Sequence, residues 1–329
     1  MAQAFLRNES LTSSINLTNM HYLVTGAAGF LGANLAERLL NLGHQVTGLD
    51  NFHSGSRENV TQLQRQSRFR FIEHDVVRPY DVPCDVVCNL ACPASPPHYQ
   101  RDPIYTAKIA FLGTLHALEN AERARARLLQ ASTSEIYGDP LVHPQPETYL
   151  GHVNLVGPRA CYDEGKRLAE TLCADYQRLG RVDARIVRIF NTYGPKMRED
   201  DGRVVTNFIK QALLGKPLTV YGQGQQTRSF CYVDDLVEGF LLVLNHPDNL
   251  GPINLGNPQE VSMLTLAQAV QKIIGSNLPL QHQPLPVDDP QQRCPDITKA
   301  RTLLKWEPQV PLEQGLMQTV QYFKKSAIR

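Results

Sequence analysis

The sequence predicts an α/β fold, a doubly wound parallel sheet with a smaller C-terminal α/β lobe. Three observations lead there. His21–Thr25, a glycine-rich turn, a helical stretch and a second apolar stretch ending at Asp50 form one βαβ unit. Apolar strands and amphipathic helices then alternate as far as Phe190, as a sheet with crossover helices requires. Gly26, Asp50, Asp75, Ala91 and the polar cluster at Thr133 all fall at carboxyl ends of predicted strands, where such sheets bind their ligands.

The first strand, His21–Thr25, runs into Gly26-Ala27-Ala28-Gly29-Phe30-Leu31-Gly32. A helix is predicted over 33–42, with Leu35, Leu39, Leu40 and Leu42 on its buried face and Gly43 ending it. The second strand covers 45–49 and closes on Asp50. Glycines in such a turn let the backbone approach a pyrophosphate whose charge sits on the helix N-terminus. Asp50 stands at the spacing of a carboxylate that binds a ribose 2′-hydroxyl. That carboxylate repels a 2′-phosphate and no Arg follows it directly, so NAD is expected rather than NADP. This makes the fold Rossmann-type. The remaining expected cofactor contacts are Phe30 and Leu31 in the turn, Asn51, Ser54 and Gly55 after Asp50, Val76 beside Asp75, and Leu90 beside Ala91.

Further strands are predicted at Phe69–Glu73, 85–90, 127–131 and 183–190, with helices over 104–125 and 162–179. After Asn191, Pro and Gly become denser. Helices are expected at 204–214, 234–244, 264–274 and 312–323, and short strands at Leu218–Tyr221 and 228–233. The domains expected are a flexible leader over 1–19, an NAD-binding domain over 20–190 and a substrate lobe over 191–329. Segments near 230–256 are expected to return to the first domain.

Composition limits the function. The chain has 329 residues, 42% hydrophobic and 20% charged, with a net charge of +1. Nothing in that balance points to nucleic acid or to a membrane surface. No apolar run reaches the roughly 18 residues of a membrane span, and residues 1–19 lack the pattern of a signal peptide. Seven cysteines without framework spacing favour reduced thiols in the cytoplasm. Cys84, Cys88 and Cys92 recur across a predicted strand, where their side chains do not converge on one ion, so no metal is expected.

The chemistry is expected between Ala131 and Lys166. Tyr162 and Lys166 are four residues apart and share a helix face, so the ammonium can favour the phenolate. The Thr133 hydroxyl could share that proton and complete an acid/base relay.

The set Gly26-x-x-Gly29-x-x-Gly32, Tyr162-x-x-x-Lys166 and Phe190-Asn191-Thr192-Tyr193-Gly194-Pro195 resembles the extended short-chain dehydrogenase/reductase family. More narrowly, five stretches resemble the UDP-glucuronate decarboxylase (UDP-xylose synthase) subfamily, one of them Asp201-Gly202-Arg203-Val204-Val205. The other four are Asn89 to Pro96, Ser132 to Pro140, Arg159 to Arg167, and Asp288-Asp289-Pro290 through Ile297. The resemblance implies decarboxylation of UDP-glucuronate to UDP-xylose and CO2 through a 4-keto sugar, NAD being recycled within the site. It implies Tyr162 as base, Thr133 at the reacting hydroxyl, Lys166 at the nicotinamide ribose, and Ser134, Glu135 and Arg293 around the carboxylate and C5. Lys108, Asn191, Arg203, Arg228 and Arg293 would hold the nucleotide sugar, and Tyr221 and Tyr232 would flank the uracil. Ser134-Glu135 separates this pattern from the Asp-Glu pair of 4,6-dehydratases and from 4-epimerases, which remain the alternative enzymes; a non-catalytic NAD-binding regulator is the alternative of another class. The sequence departs from the family at Ile109-Ala110, Asn89 and Ala27-Ala28. The resemblance further implies a homodimer, through helices near 104–124 and 163–178.

Overall fold

The structure, a computed structural model, describes residues 19–285 and 292–327. The expected leader, apart from Asn19, and the Asp288-Asp289-Pro290 stretch lie outside them. Seven parallel strands form the central sheet: β1 (His21–Thr25), β2 (Gln45–Asp50), β3 (Phe69–Glu73), β4 (Val86–Asn89), β5 (Arg127–Thr133), β6 (Ala184–Ile189) and β7 (Ile253–Leu255). Their spatial order is β7-β6-β5-β4-β1-β2-β3, so the winding reverses between β1 and β4. Chain connections leave a crevice there, beyond the carboxyl ends of the strands.

Both faces are buried. Successive side chains point to opposite faces of a strand. Tyr22 and Val24 join Leu35 and Leu39 of helix α1 (Phe30–Asn41) in one core, while Leu23 joins Leu118 and Cys173 in the other. The second core lies under α2 (Thr114–Ala124) and α3 (Ala160–Arg178). The first continues without a break into the C-terminal region. There Phe208, Leu218 and Val220 pack with Leu236, Leu266 and Leu316 of α4 (Val233–Asn245), α5 (Met263–Ile274) and α6 (Leu312–Ala327).

Three of the elements that differ from expectation show why. The helix expected over 104–125 carries a wide π turn, Ile109–Gly113, between Pro103–Lys108 and α2. That stretch contains the unusual Ile109-Ala110, and the Ala110 methyl lies where a Cβ on Gly165 would come within 2.8 Å. The bare Gly165 therefore lets α3 approach the π turn. The single strand expected over 228–233 is two short strands, Thr227–Ser229 and Cys231–Tyr232, pairing respectively with Glu260–Ser262 and Thr192–Tyr193. Strand β7 extends the sheet beyond the six strands expected. Its three residues are too short to show a period in sequence.

Candidate active site

The dinucleotide cradle forms where β1 turns into α1. Gly26 has φ +72°, and a Cβ there would stand 2.9 Å from the backbone of Ala91. A Cβ on Gly32 would stand 2.1 Å from the Gly26 carbonyl oxygen, so the turn closes on its own helix only with glycine at both places. The α1 N-cap, Gly29, offers no side-chain acceptor, which leaves the first N–H groups of the helix to an anionic ligand. Asp50 ends β2 with its carboxylate accepting from the N–H groups of Ala28 at 3.0 Å and Phe52 at 2.7 Å. Burial pushes this carboxyl up and those N–H groups pull it back.

Gly26, Gly29, Asp50, Asn51, Ser54, Val76, Leu90 and Ala91 line one depression, the first part of the expected cofactor set. Gly55 does not line it; it packs against Ala28. Asp75 also turns aside, accepting from the Tyr105 hydroxyl at 2.7 Å, which in turn accepts from Asn51 at 2.8 Å. Phe30 lies beneath the Arg203 guanidinium, while Leu31 lines the neighbouring cleft. A glycine turn without a cap, beside a carboxylate at the end of β2, fits a nicotinamide dinucleotide.

A second cleft of about 370 Å³ adjoins the first at Leu90 and Cys92. Thr133, Ser134, Glu135, Tyr162, Lys166, Asn191, Arg203, Tyr221, Arg228 and Arg293 line it together. β5 delivers Thr133 at its carboxyl end, and the 3-10 turn Ser134–Tyr137 places the next two side chains. Helix α3 brings Tyr162 and Lys166 to the same spot from its first turns.

Two expected substrate residues are elsewhere. Lys108 is exposed and outside the cleft, because Thr106 and Ile109 take the inward positions around it. Tyr232 is buried under Tyr193, its hydroxyl donating to Gln318 at 2.6 Å, so it cannot flank a base in the cleft. Cys92, grouped in sequence with packing cysteines, instead lies between the two depressions. Asn89 is built into the sheet: it accepts from Thr25 at 2.7 Å and donates to Gln130 at 2.8 Å.

Electrostatics set the character of the cleft. Burial pushes the Tyr162 phenol well above its ordinary value; Cys92, Glu135 and Asp163 add to this, and a hydrogen bond with Thr133 opposes it. The Lys166 ammonium donates to the Ala131 carbonyl at 2.8 Å and lies 5.8 Å from the Tyr162 ring centre. Both groups line the same cleft, as their shared helix face requires.

Glu135 is no surface carboxylate. It accepts from Arg159 at 2.5 Å through one oxygen and from Arg293 through the other. Burial alone would push it up, but the charges of Arg293 and then Arg159 prevail and hold it at about 2. Arg293 uses only Nη1 in this pair; its buried Nε and Nη2 have no hydrogen-bond partner among the described residues. Arg203 is paired with Asp201, at 2.5 and 2.7 Å, so its charge is already partly met.

Sequence reasoning missed three members of this cluster. Arg159 lies one helical turn before Tyr162, a spacing that could have marked it. Tyr99 stacks on Tyr162 with ring centres 5.1 Å apart and planes 4° from parallel. Asp163 is buried beside Tyr162, and burial together with the Glu135 charge pushes its carboxyl up to about 8.

A parallel sheet with a glycine cradle at its switch point, and a buried Tyr–Lys–Thr set across the crevice, defines a nicotinamide-dependent enzyme acting on a hydroxyl-bearing substrate. Residues 22–256 match the NAD dependent epimerase/dehydratase family. The chain belongs to that family, and its cofactor is NAD. It is 53% identical over 303 residues to UDP-glucuronic acid decarboxylase 1 of Xenopus tropicalis, covering 92% of this chain and 72% of the relative. It is 54% identical over 306 residues to UDP-glucuronic acid decarboxylase 4 of Arabidopsis thaliana, covering 93% and 69%. Among solved structures it is similar to UDP-glucuronic acid 4-epimerase of Bacillus cereus in complex with UDP-glucuronic acid and NAD. The TM-score there is 0.85 at 32% identity, over 93% of this chain and all of that one.

Proposed function

We propose that the protein decarboxylates UDP-glucuronate to UDP-xylose and CO2. The observation that carries this reading is Arg293, clamped by Glu135 yet holding two buried nitrogens without a partner among the described residues, in the cleft beside Tyr162. A guanidinium edge of this kind suits a carboxylate. The relatives named as decarboxylases, at 53% and 54% identity, support the same substrate.

NAD, when bound, supplies the hydride acceptor and donor for C4, so the sugar is oxidised and reduced in turn without net redox change. Tyr162 takes the proton of the 4-hydroxyl and Thr133 holds that hydroxyl. Because burial disfavours the phenolate, Tyr162 acts as base only with positive charge nearby, which Lys166 supplies from the same wall of the cleft. The resulting 4-keto group lies β to the carboxylate, so the electron pair of the breaking C5–C6 bond flows into the carbonyl and CO2 departs. Arg293 orients that carboxylate. Glu135, ionised at neutral pH, keeps both guanidiniums aligned and accepts a hydrogen bond from the water that relays a solvent proton to C5, the one proton the overall reaction consumes. Tyr162 then returns its proton to O4. Arg228 and Arg203 meet the diphosphate, and Tyr221 the base.

We also propose a homodimer in the cytoplasm. Ile104, Phe111 and Leu168 expose apolar surface on neighbouring helices, and all seven cysteines are free thiols. Gel filtration at micromolar concentration checks the first point; a monomer mass overturns it.

The activity test incubates purified protein with UDP-glucuronate and NAD, following CO2 release and separating sugar nucleotides chromatographically. CO2 with equimolar UDP-xylose and no net reduction of NAD is expected. A product of unchanged mass, formed without CO2, would make the protein an epimerase instead.

A further inference from the structure

We infer that His143, Glu260 and Cys294 form a zinc site on the outer wall of the substrate cleft. Their donor atoms, an imidazole nitrogen, a carboxylate oxygen and a thiol sulfur, all lie within 4.8 Å of one another. They come from three segments far apart in sequence, which is why no spacing in the chain announces them.

Two features make this more than a chance cluster. The segments carrying His143 and Cys294 are locked together: Gln145 N–H donates to the Cys294 carbonyl at 2.9 Å, and Cys294 N–H donates to the Gln145 side chain at 2.9 Å. The third segment is also held. Glu260 sits in the strand paired with Thr227–Ser229, and one of its oxygens accepts from the Thr227 hydroxyl at 2.6 Å. Its other oxygen faces His143 Nε2 at 3.0 Å. A hydrogen bond to the non-ligating oxygen is the outer support that metal-bound carboxylates receive.

The donor set selects the metal. Thiolate, imidazole and carboxylate together suit Zn²⁺, with bonds of about 2.0–2.3 Å in tetrahedral array and a fourth place for water. The three donors need only close modestly to reach it. The Cys294 sulfur, 3.4 Å from the Pro258 carbonyl oxygen, gives up its proton to solvent as the sulfur–zinc bond forms. The site has a mechanical consequence, because Cys294 adjoins Arg293 and Glu260 pairs across from Ser229, next to Arg228. Zinc ties together the backbone under both arginines.

The test titrates reduced, chelator-washed full-length protein with ZnCl2 against a chromophoric chelator. One site per chain is expected, weakened at least about tenfold in His143→Ala and in Cys294→Ser, since even outer-shell changes reach that size. Co²⁺ in place of zinc should give a near-ultraviolet thiolate charge-transfer band that Cys294→Ser lacks. Zinc should also raise the Tm of the wild type but not of His143→Ala, a surface change that leaves the cleft intact. No stoichiometric site, or one that survives both substitutions unchanged, overturns the inference.

Discussion

Replacing Glu135 with Gln keeps the side-chain shape and removes the charge that Arg159 and Arg293 share. The side chains of Glu135, Arg159 and Arg293 are 14%, 10% and 6% exposed, so water cannot take the place of that charge. Removing one partner of a buried pair costs about 3–5 kcal/mol. The ionisation of Glu135 gives a second measure: held at about 2 against an ordinary 4.5, it contributes about 3 kcal/mol at neutral pH. Asp163 reduces the loss. The Glu135 charge is one of the two main causes that keep its carboxyl protonated to about pH 8, so it ionises more readily in the variant and returns a negative charge to the cluster. A net loss of about 2–3 kcal/mol is expected, or about 3–4 °C in Tm for a chain of this size. The sign with pH follows from the depressed value. The contribution is complete above 4.5 and disappears as pH falls toward about 2, so the deficit of the variant narrows through that window. Thermal unfolding of both proteins at pH 7, with and without UDP-glucuronate, is the assay. UDP-glucuronate should raise the Tm of the variant more than that of the wild type, and UDP-glucose, without a carboxylate, should not. A variant within about 1 °C of the wild type, or rescued equally by UDP-glucose, would refute the ion-cluster reasoning.

Three further outcomes can be measured. Tyr162→Phe should keep its fold by circular dichroism and lose about 10²–10⁴-fold in UDP-glucuronate turnover, the range of a removed general acid–base; unchanged turnover would remove Tyr162 from the reaction. Gly32→Ala places a Cβ 2.1 Å from a backbone oxygen that cannot rotate away. It should destabilise by about 1–3 kcal/mol, and NAD affinity by calorimetry should fall at least about tenfold; retained affinity would show that the turn is not the cradle. Asp163 has a folded value raised from 3.8 to about 8. The native chain therefore holds a proton that the unfolded chain has released, and stability falls as pH rises between those values. Asp163→Asn should flatten that slope in urea unfolding and be about 1–3 kcal/mol more stable than the wild type at pH 8.

What was legible in the sequence was local. The β1–α1 turn, Asp50 and the Tyr162–Lys166 spacing are contiguous features whose geometry follows from one strand or one helix. Strand and helix positions followed for the same reason, because two-residue and 3.6-residue periods are written into short windows. What escaped was set by packing across the chain. For Lys108 and Tyr232, each side chain's direction depends on neighbours: the π turn after Lys108, and Gln318 on α6 for Tyr232. Arg159, Tyr99 and Asp163 gain their significance only when β5, α3 and the segment at Arg293 meet. The helix face shared by Tyr162 and Lys166 follows from their spacing, but the backbone carbonyl of β5 that accepts from the Lys166 ammonium leaves no trace in side-chain identity.

The same cluster shows how a chain of net charge +1 can select an acidic sugar. Selection here does not need a positive surface, because Glu135 sets the geometry of the guanidiniums before a ligand arrives. It occupies Nη1 of Arg293 and, among the described residues, leaves Nε and Nη2 without a partner, the edge that binds a carboxylate in bidentate fashion. On the proposed reaction, that edge has a ligand in the substrate and none in the product, since the carboxylate leaves as neutral CO2. Arg293 therefore contributes to holding UDP-glucuronate but not UDP-xylose. The reaction itself removes the interaction that distinguishes substrate from product, and Glu135 keeps Arg293 from being left as an isolated buried charge when it does.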